Sequence, residues 1–297
     1  MNSIVRLGAD IDPPPVPTEA LPPLDIGEVE VAPAIQADFL CKKYGSQWAV
    51  DDVSFVVPSG WTVGLLGGNG AGKTTTIAMI MGLVVPTAGR ALVLGHDMMR
   101  ERHKVLRRMN FESPYVALPS RLTVRENLTV FGRLYGVTNV KARIEQLAHE
   151  FELEEILDRA NGRLSAGQKT RVLIAKALIN SPEVLLLDEP TASLDPDRAE
   201  WVRSRLEIYR RERGATILMS SHNMPEVERL CDFIIIMSFG RVVAMGQPRE
   251  LIERYQSENL DEVFIHLARA EQQERADEFA RETIAEGSAV ERAAPKS

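Results

Sequence analysis

Residues 67–74 read Gly67-Gly68-Asn69-Gly70-Ala71-Gly72-Lys73-Thr74. The stretch fits G-x-x-x-x-G-K-[ST], a glycine-rich turn that wraps a phosphate. Gly67, Gly70 and Gly72 lack the side chains that would hold the backbone away from an anion. Their N–H groups can then converge on it as a concave nest. Lys73 adds a positive charge for terminal phosphates, and Thr74 a hydroxyl for Mg²⁺. Both flanks agree. Trp61 to Leu66 is a short apolar stretch of strand type, and Lys73 to Leu83 carries Ile77, Ile80 and Met81 at helical spacing. A strand–turn–helix order aims unpaired N–H groups and the helix dipole at negative charge. A glycine-rich turn that merely precedes Lys-Thr is the plain alternative, and it explains neither flank.

The chain has 297 residues, 44% hydrophobic and 26% charged, enough for one large or two small domains. A net charge of −7 lacks the basic footprint of a general nucleic-acid binder, so no nucleic-acid partner is expected. Cys41 and Cys231 stand far apart without metal-type spacing and read as buried thiols in a reducing compartment. The chain does not open on a basic segment followed by an apolar stretch, and no apolar run nears the ~18–20 residues that span a bilayer. The expectation is a cytoplasmic protein that acts at a membrane only through another polypeptide.

Residues 1–33 are rich in proline and poor in apolar period, which predicts a disordered or extended leader. Ile35 to Tyr44 and Val50 to Val57 alternate like paired strands, and Ala91 to Leu94 is another strand candidate. Residues 122–180 are mostly helical by period, opening on Thr123-Val124-Arg125-Glu126, a capping-box pattern. Val184 to Leu187, Thr216 to Ser220 and Phe233 to Met237 are continuous apolar runs between helices. Such runs predict a largely parallel sheet covered on both faces. Leu260 to Ala285 reads as one charged helix, with Val263, Phe264 and Leu267 at helical spacing. No internal repeat is present.

Ligands gather at the carboxyl ends of parallel strands, where Asp188 and Glu189 follow four apolar residues. Asp188 is placed to hold Mg²⁺ with Thr74, and Glu189 to accept a proton from an attacking water. Two solvated acids at a strand end are the alternative, and the phosphate loop earlier in the chain argues against it.

Further stretches follow in order: Leu164-Ser165-Ala166-Gly167-Gln168 before a helix, Ala192-Ser193-Leu194-Asp195 after Glu189, and Ser220-Ser221-His222 at a strand end. Tyr44 in Lys42-Lys43-Tyr44-Gly45 precedes the phosphate loop. With these the chain resembles the nucleotide-binding domain of an ABC (ATP-binding cassette) transporter over residues 34–256. The resemblance implies an α/β fold: a P-loop NTPase core with a mostly parallel sheet, an antiparallel β subdomain and an inserted α-helical subdomain at about 115–180. Residues 257–297 would form a C-terminal helical extension.

It also implies ATP and Mg²⁺ as ligands, with Lys73, Glu189 and His222 catalytic and with Thr74 and Asp188 on the metal. Tyr44 would stack on adenine. Gly67, Gly68, Asn69, Gly70, Ala71, Gly72, Lys73, Thr74 and Thr75 would hold the phosphates. Ser165, Gly167, Gln168 and Asp195 would act from a second copy of the chain across a nucleotide sandwich; Ser165 could equally be an ordinary helix cap. The implied partner is a separately encoded six-helix permease, reached at the cytoplasmic face of the inner membrane. The implied work is export of lipid, glycoconjugate or drug-like cargo. Three positions depart from the pattern. Pro114 stands about where the family has a glutamine, with Glu112 or Ser113 as possible substitutes. Gly68 replaces a proline, and Ala166 a glycine. A mechanical DNA-repair ATPase would need a coiled-coil arm, and only about 90 residues separate the loop from Leu164. An assembly module with little hydrolysis remains the other reading.

Overall fold

The computed structural model describes residues 33–113, 117–192 and 194–270. The expected leader up to residue 32, Pro114, Ser193 and the second half of the expected C-terminal helix lie outside the described residues.

From Pro33 the chain makes an antiparallel pair, β1 (Pro33–Tyr44) and β2 (Gln47–Pro58), and β3 (Thr62–Leu66) then leads through the glycine-rich turn into α1 (Lys73–Ile80). β4 (Ala88–Val93), β5 (His96–Asp97), the single helical turn α2 (Arg102–Val105) and β6 (Met109–Glu112) follow. Three helices come next: α3 (Val124–Leu134), α4 (Val140–Glu150) and α5 (Ala166–Ala177). Strand and helix then alternate through β7 (Val184–Asp188), α6 (Pro196–Arg213), β8 (Thr216–Ser221), α7 (Met224–Leu230), β9 (Phe233–Ser238) and β10 (Arg241–Gly246).

Two sheets result, in the orders β2-β1-β4-β5 and β10-β9-β3-β8-β7-β6. The first is antiparallel throughout, and the second is parallel except for β10. β3 is buried along its whole length, and so are the apolar residues of β7. Continuous burial is why these strands read as unbroken apolar runs rather than alternating ones. Each fully buried Leu, Ile or Val contributes about 1.5–3 kcal/mol. One apolar cluster joins β1, β2 and β4 to β3, β9 and α1. Gly64 in β3 leaves room for α7, since a Cβ there would lie 3.0 Å from Cys231 Sγ. Cys231 is buried, whereas Cys41 is only half-buried, against expectation.

The strand ladder fixes the functional end of the sheet. Leu66 pairs with Ser221 across β3 and β8, and Asp188 with Ser220 across β7 and β8. The glycine-rich turn, the acidic pair and His222 therefore leave three adjacent strands on the same edge. α1 stops before the expected Leu83. Gly82 adopts a left-handed conformation (φ 69°), and the N–H groups of Leu83 and Val84 turn back to the Ala78 carbonyl at 2.9 and 3.2 Å. The capping box expected at Thr123 and Glu126 is present, and Ser165 with Gln168 forms a second one on α5.

β6 and α5 meet through a buried ion pair, Glu112 with Lys176 at 2.7 Å. The second oxygen of Glu112 is buried without a partner. Burial pushes the Glu112 carboxyl above its ordinary range, and Lys176 opposes that shift.

From Arg249 the chain forms a separate unit. It holds most of α8 (Pro248–Arg254) and a helix over 260–270. Leu260, Val263 and Leu267 are its buried positions, at the spacing read from the sequence, whereas Phe264 is half-buried. No helix among the described residues is long and apolar enough to cross a membrane.

Replacing Lys176 with Met leaves a buried carboxylate alone and should cost about 3–5 kcal/mol in urea unfolding at neutral pH. Because the folded-state pKa of Glu112 lies above its unfolded value, protonation favours the folded variant. The deficit should therefore shrink as pH falls and grow as pH rises.

Candidate nucleotide site

A cavity of about 900 Å³ opens at the carboxyl ends of β3, β7 and β8. Gly67 to Thr75 line it, with Asp188, Glu189 and His222 on one side and Tyr44, Gln47, Trp48 and Ala49 on the other. Gly72 is the N-cap of α1 and has no side chain to cap it, so the first amides of the helix are open to a ligand. Lys73 curls back over the turn and donates to the carbonyls of Gly67 and Gly68 at 2.7 and 3.1 Å. Burial pulls the Lys73 amine below its ordinary range, and the charges of Glu189 and Asp188 pull it back up. An incoming phosphate would restore a counter-charge to a partly desolvated cation.

The glycines are needed for a reason the sequence did not reveal. A Cβ on Gly67 would lie 2.5 Å from the Met237 carbonyl oxygen, and one on Gly72 2.5 Å from that of Ala49. Gly72 is also left-handed, at φ 100°. The Gly240 N–H donates to Ala71 O at 3.0 Å, and the Asp51 N–H to Gly240 O at 2.8 Å. β2 and the β9–β10 turn thus press on the back of the phosphate loop and hold its shape. Gly68, by contrast, has open space around a notional Cβ, consistent with variation there.

At the acidic strand end, the Ser220 hydroxyl donates to Asp188 Oδ1 at 2.5 Å. The Glu189 N–H donates to Ser220 O and Oγ, both at 3.1 Å. Glu189 is itself left-handed (φ 55°), which turns its side chain out of the strand and toward the cavity. His222 Nδ1 lies 3.0 Å from Glu189 Oε1, with the histidine side chain 67% exposed and the glutamate 17%. The Thr74 hydroxyl and the Asp188 carboxylate are hard oxygen donors of the kind Mg²⁺ takes. Among the described residues no group of three or more His, Cys, Asp or Glu side chains is arranged to hold a metal ion. Sequence reasoning missed Ser220, Gln47 and Trp48. Trp48 was findable, since the hairpin register sets it opposite Lys43, next to Tyr44.

Not every expected residue is in the cavity. Ser165, Gly167, Gln168 and Asp195 lie outside it. Ser165 Oγ accepts the Gln168 N–H at 3.2 Å, and Gln168 Oε1 accepts the Ser165 N–H at 3.0 Å. Asp195 caps α6 and pairs with Arg198 at 3.0 Å. Ala166 opens α5 and is not among the left-handed residues, so its methyl is accommodated. Glu112 does not stand in for the missing glutamine. It pairs with Leu187 in the sheet, so its side chain points away from the face that carries Asp188, toward Lys176 on α5. Ser113, the next residue, is buried.

Residues 50–192 match the family description for ABC transporters. The Nod factor export ATP-binding protein I of Ralstonia nicotianae is 39% identical over 222 residues, 74% of this chain and 69% of that protein. This chain belongs to the ABC transporter family. The ATP-binding protein NatA of Bacillus subtilis is 40% identical to the cassette over 220 residues, 73% of this chain and 89% of that protein. A solved ATP-binding subunit of an ABC transporter superposes with a TM-score of 0.72 at 32% identity, covering 79% of this chain and 99% of that one. An ATP-binding cassette solved as a post-hydrolysis dimer with ADP and Pi gives 0.65 at 25% identity, covering 72% and 98%. The expected fold is borne out: an ABC ATPase with a mostly parallel core sheet, an antiparallel sheet and an inserted set of helices.

Gly72→Ala should be destabilised by about 2–4 kcal/mol, from left-handed strain plus the clash with Ala49. Thermal unfolding measures this, and titration with MgATP should show binding lost.

Proposed function

We propose that two copies of this cassette close on two MgATP molecules and drive a separately encoded membrane permease in export. The observation that carries the reading is a division of parts. Lys73, Asp188, Glu189 and His222 converge on one cavity, while Ser165 and Gly167 sit outside it at a helix N-terminus. A site half-built from each copy explains both facts. Tyr44 stacks on the base. The loop amides and Lys73 neutralise the phosphates, and Ser165, Gly167 and Gln168 approach from the second copy, with Asp195 at the seam. Thr74 and Asp188 hold Mg²⁺, which supplies charge neutralisation on the phosphate oxygens when bound. Glu189 and His222 orient the water and receive its proton. Most of the rate comes from positioning and charge.

The cassette segment, 34–256, would lie peripherally on the cytoplasmic membrane face, docked by the inserted helices. The export direction is supported by the names of the Nod factor export relatives, and a lipid-like, glycoconjugate or drug-like cargo is the finer part of the proposal. A second reading, an ABC module with weak hydrolysis, is favoured by Pro114 at the glutamine position.

Glu189→Gln separates the two readings. Turnover should fall roughly 10²–10⁴-fold while MgATP still binds, and the variant should run as a dimer on size exclusion with ATP. Parental turnover in that variant, or a parent with no turnover beside its permease, would overturn the hydrolytic assignment. Tyr44→Ala should weaken ATP binding about tenfold in calorimetry and leave triphosphate binding unchanged.

A further inference from the structure

Glu226 lies in the first turn of α7 and is only 3% exposed. Its two oxygens accept hydroxyls from two different strand ends. Thr191 Oγ1 donates to Oε1 at 2.6 Å, and Ser221 Oγ donates to Oε2 at 2.9 Å. Thr191 lies two residues beyond Glu189, and Ser221 immediately precedes His222. The Asn223 N–H donates to Ser221 Oγ at 3.0 Å, so the residues on both sides of His222 are tied into this network. We infer that Glu226 is a positioning residue: it locks the loop that carries His222 to the segment that runs from Glu189 to Asp195. The inference rests on the reading of His222 and Asp195 given above.

A simpler role is helix capping. α7 already has its cap, because Asn223 Oδ1 accepts the Glu226 N–H at 3.3 Å. The Ser221 arm could serve that cap too. The Thr191 arm cannot, since it reaches a separate loop 35 residues away. A buried carboxylate is costly to desolvate, and an apolar side chain would fill the same space without that cost. What the acid adds is a fixed distance between two loops. Its charge sits in the N-terminal turn of α7, where the dipole favours it.

Two turn bonds lie between Glu189 and Asp195. The Ala192 N–H donates to Glu189 O at 3.0 Å, and the Leu194 N–H to Thr191 O at 3.1 Å. A displacement at Asp195 thus moves Thr191, and through Glu226 it moves Ser221 and the imidazole next to it. Ser220 makes a parallel link one residue earlier, holding Asp188 and the Glu189 amide. With Asp195 at the seam, arrival of the second copy would be felt at His222 through this path.

Thr191→Val keeps the shape and the α7 cap and removes only the cross-loop arm. Its kcat for ATP should drop about tenfold with the Kd for a non-hydrolysable ATP analogue unchanged, alongside a modest fall in melting temperature from the carboxylate oxygen that loses its donor. Thr191→Ser, which keeps the hydroxyl, should retain parental turnover. Glu226→Leu, which removes both acceptors, should lose at least as much turnover as Thr191→Val, and neither should lower the residual rate of a His222→Ala protein further. A fully active Thr191→Val, or losses that multiply in the His222→Ala background, would overturn the inference while leaving His222 in place. Parental turnover in His222→Ala itself would overturn the reading of the histidine, and the link with it.

Discussion

The phosphate loop has almost no space of its own. Carbonyl oxygens of Ala49 and Met237 stand where side chains on Gly72 and Gly67 would begin, and Gly240 bonds to the loop from behind. A ring of amides pointing at one centre is unfavourable for a free chain, because the dipoles repel and the backbone is left-handed at several points. Here the shape is imposed by strands whose own positions are set by sheet pairing and by the shared apolar cluster. The energy that keeps the loop ready for an anion is thus the energy of the core.

The acidic side of the cavity is held in a comparable way by hydroxyls. β8 ends in two serines whose side chains serve opposite faces. Ser220 fixes Asp188 and the Glu189 amide, and Ser221 reaches Glu226. Neighbouring strand ends are thereby registered more finely than ladder bonds alone would do. Glu189 and His222 can meet at 3.0 Å because each follows one of these serine-pinned ends. Lys73 faces this group from across the cavity, weakened as a base by burial and supported by the acidic charges opposite.

Much of this was legible in the sequence, and the reason is physical. A phosphate loop, a strand-end acid pair and a helix cap are local devices, with all their parts within a few residues. The buried strands announced themselves as unbroken apolar runs because both faces are covered. What could not be read was any contact closed by the fold. Nothing near Gly72 in sequence points to Ala49, and nothing near Thr191 points to Glu226. Glu112 shows the same limit from the other side. Its place in the chain suggested the missing glutamine, but strand alternation turns it to Lys176. The early end of α1 was a local miss, since Gly82 lay in plain view as a stop signal.

The inserted helices leave the sheet after β6 and rejoin it at β7, two adjacent strands at one border. The spacing between Lys73 and Asp188, however, is set by β3, β8 and β7 alone. Lengthening, trimming or swapping the excursion would leave that spacing untouched. The nucleotide end of the sheet and the helical excursion are therefore separable in evolution: one can diversify while the other stays fixed.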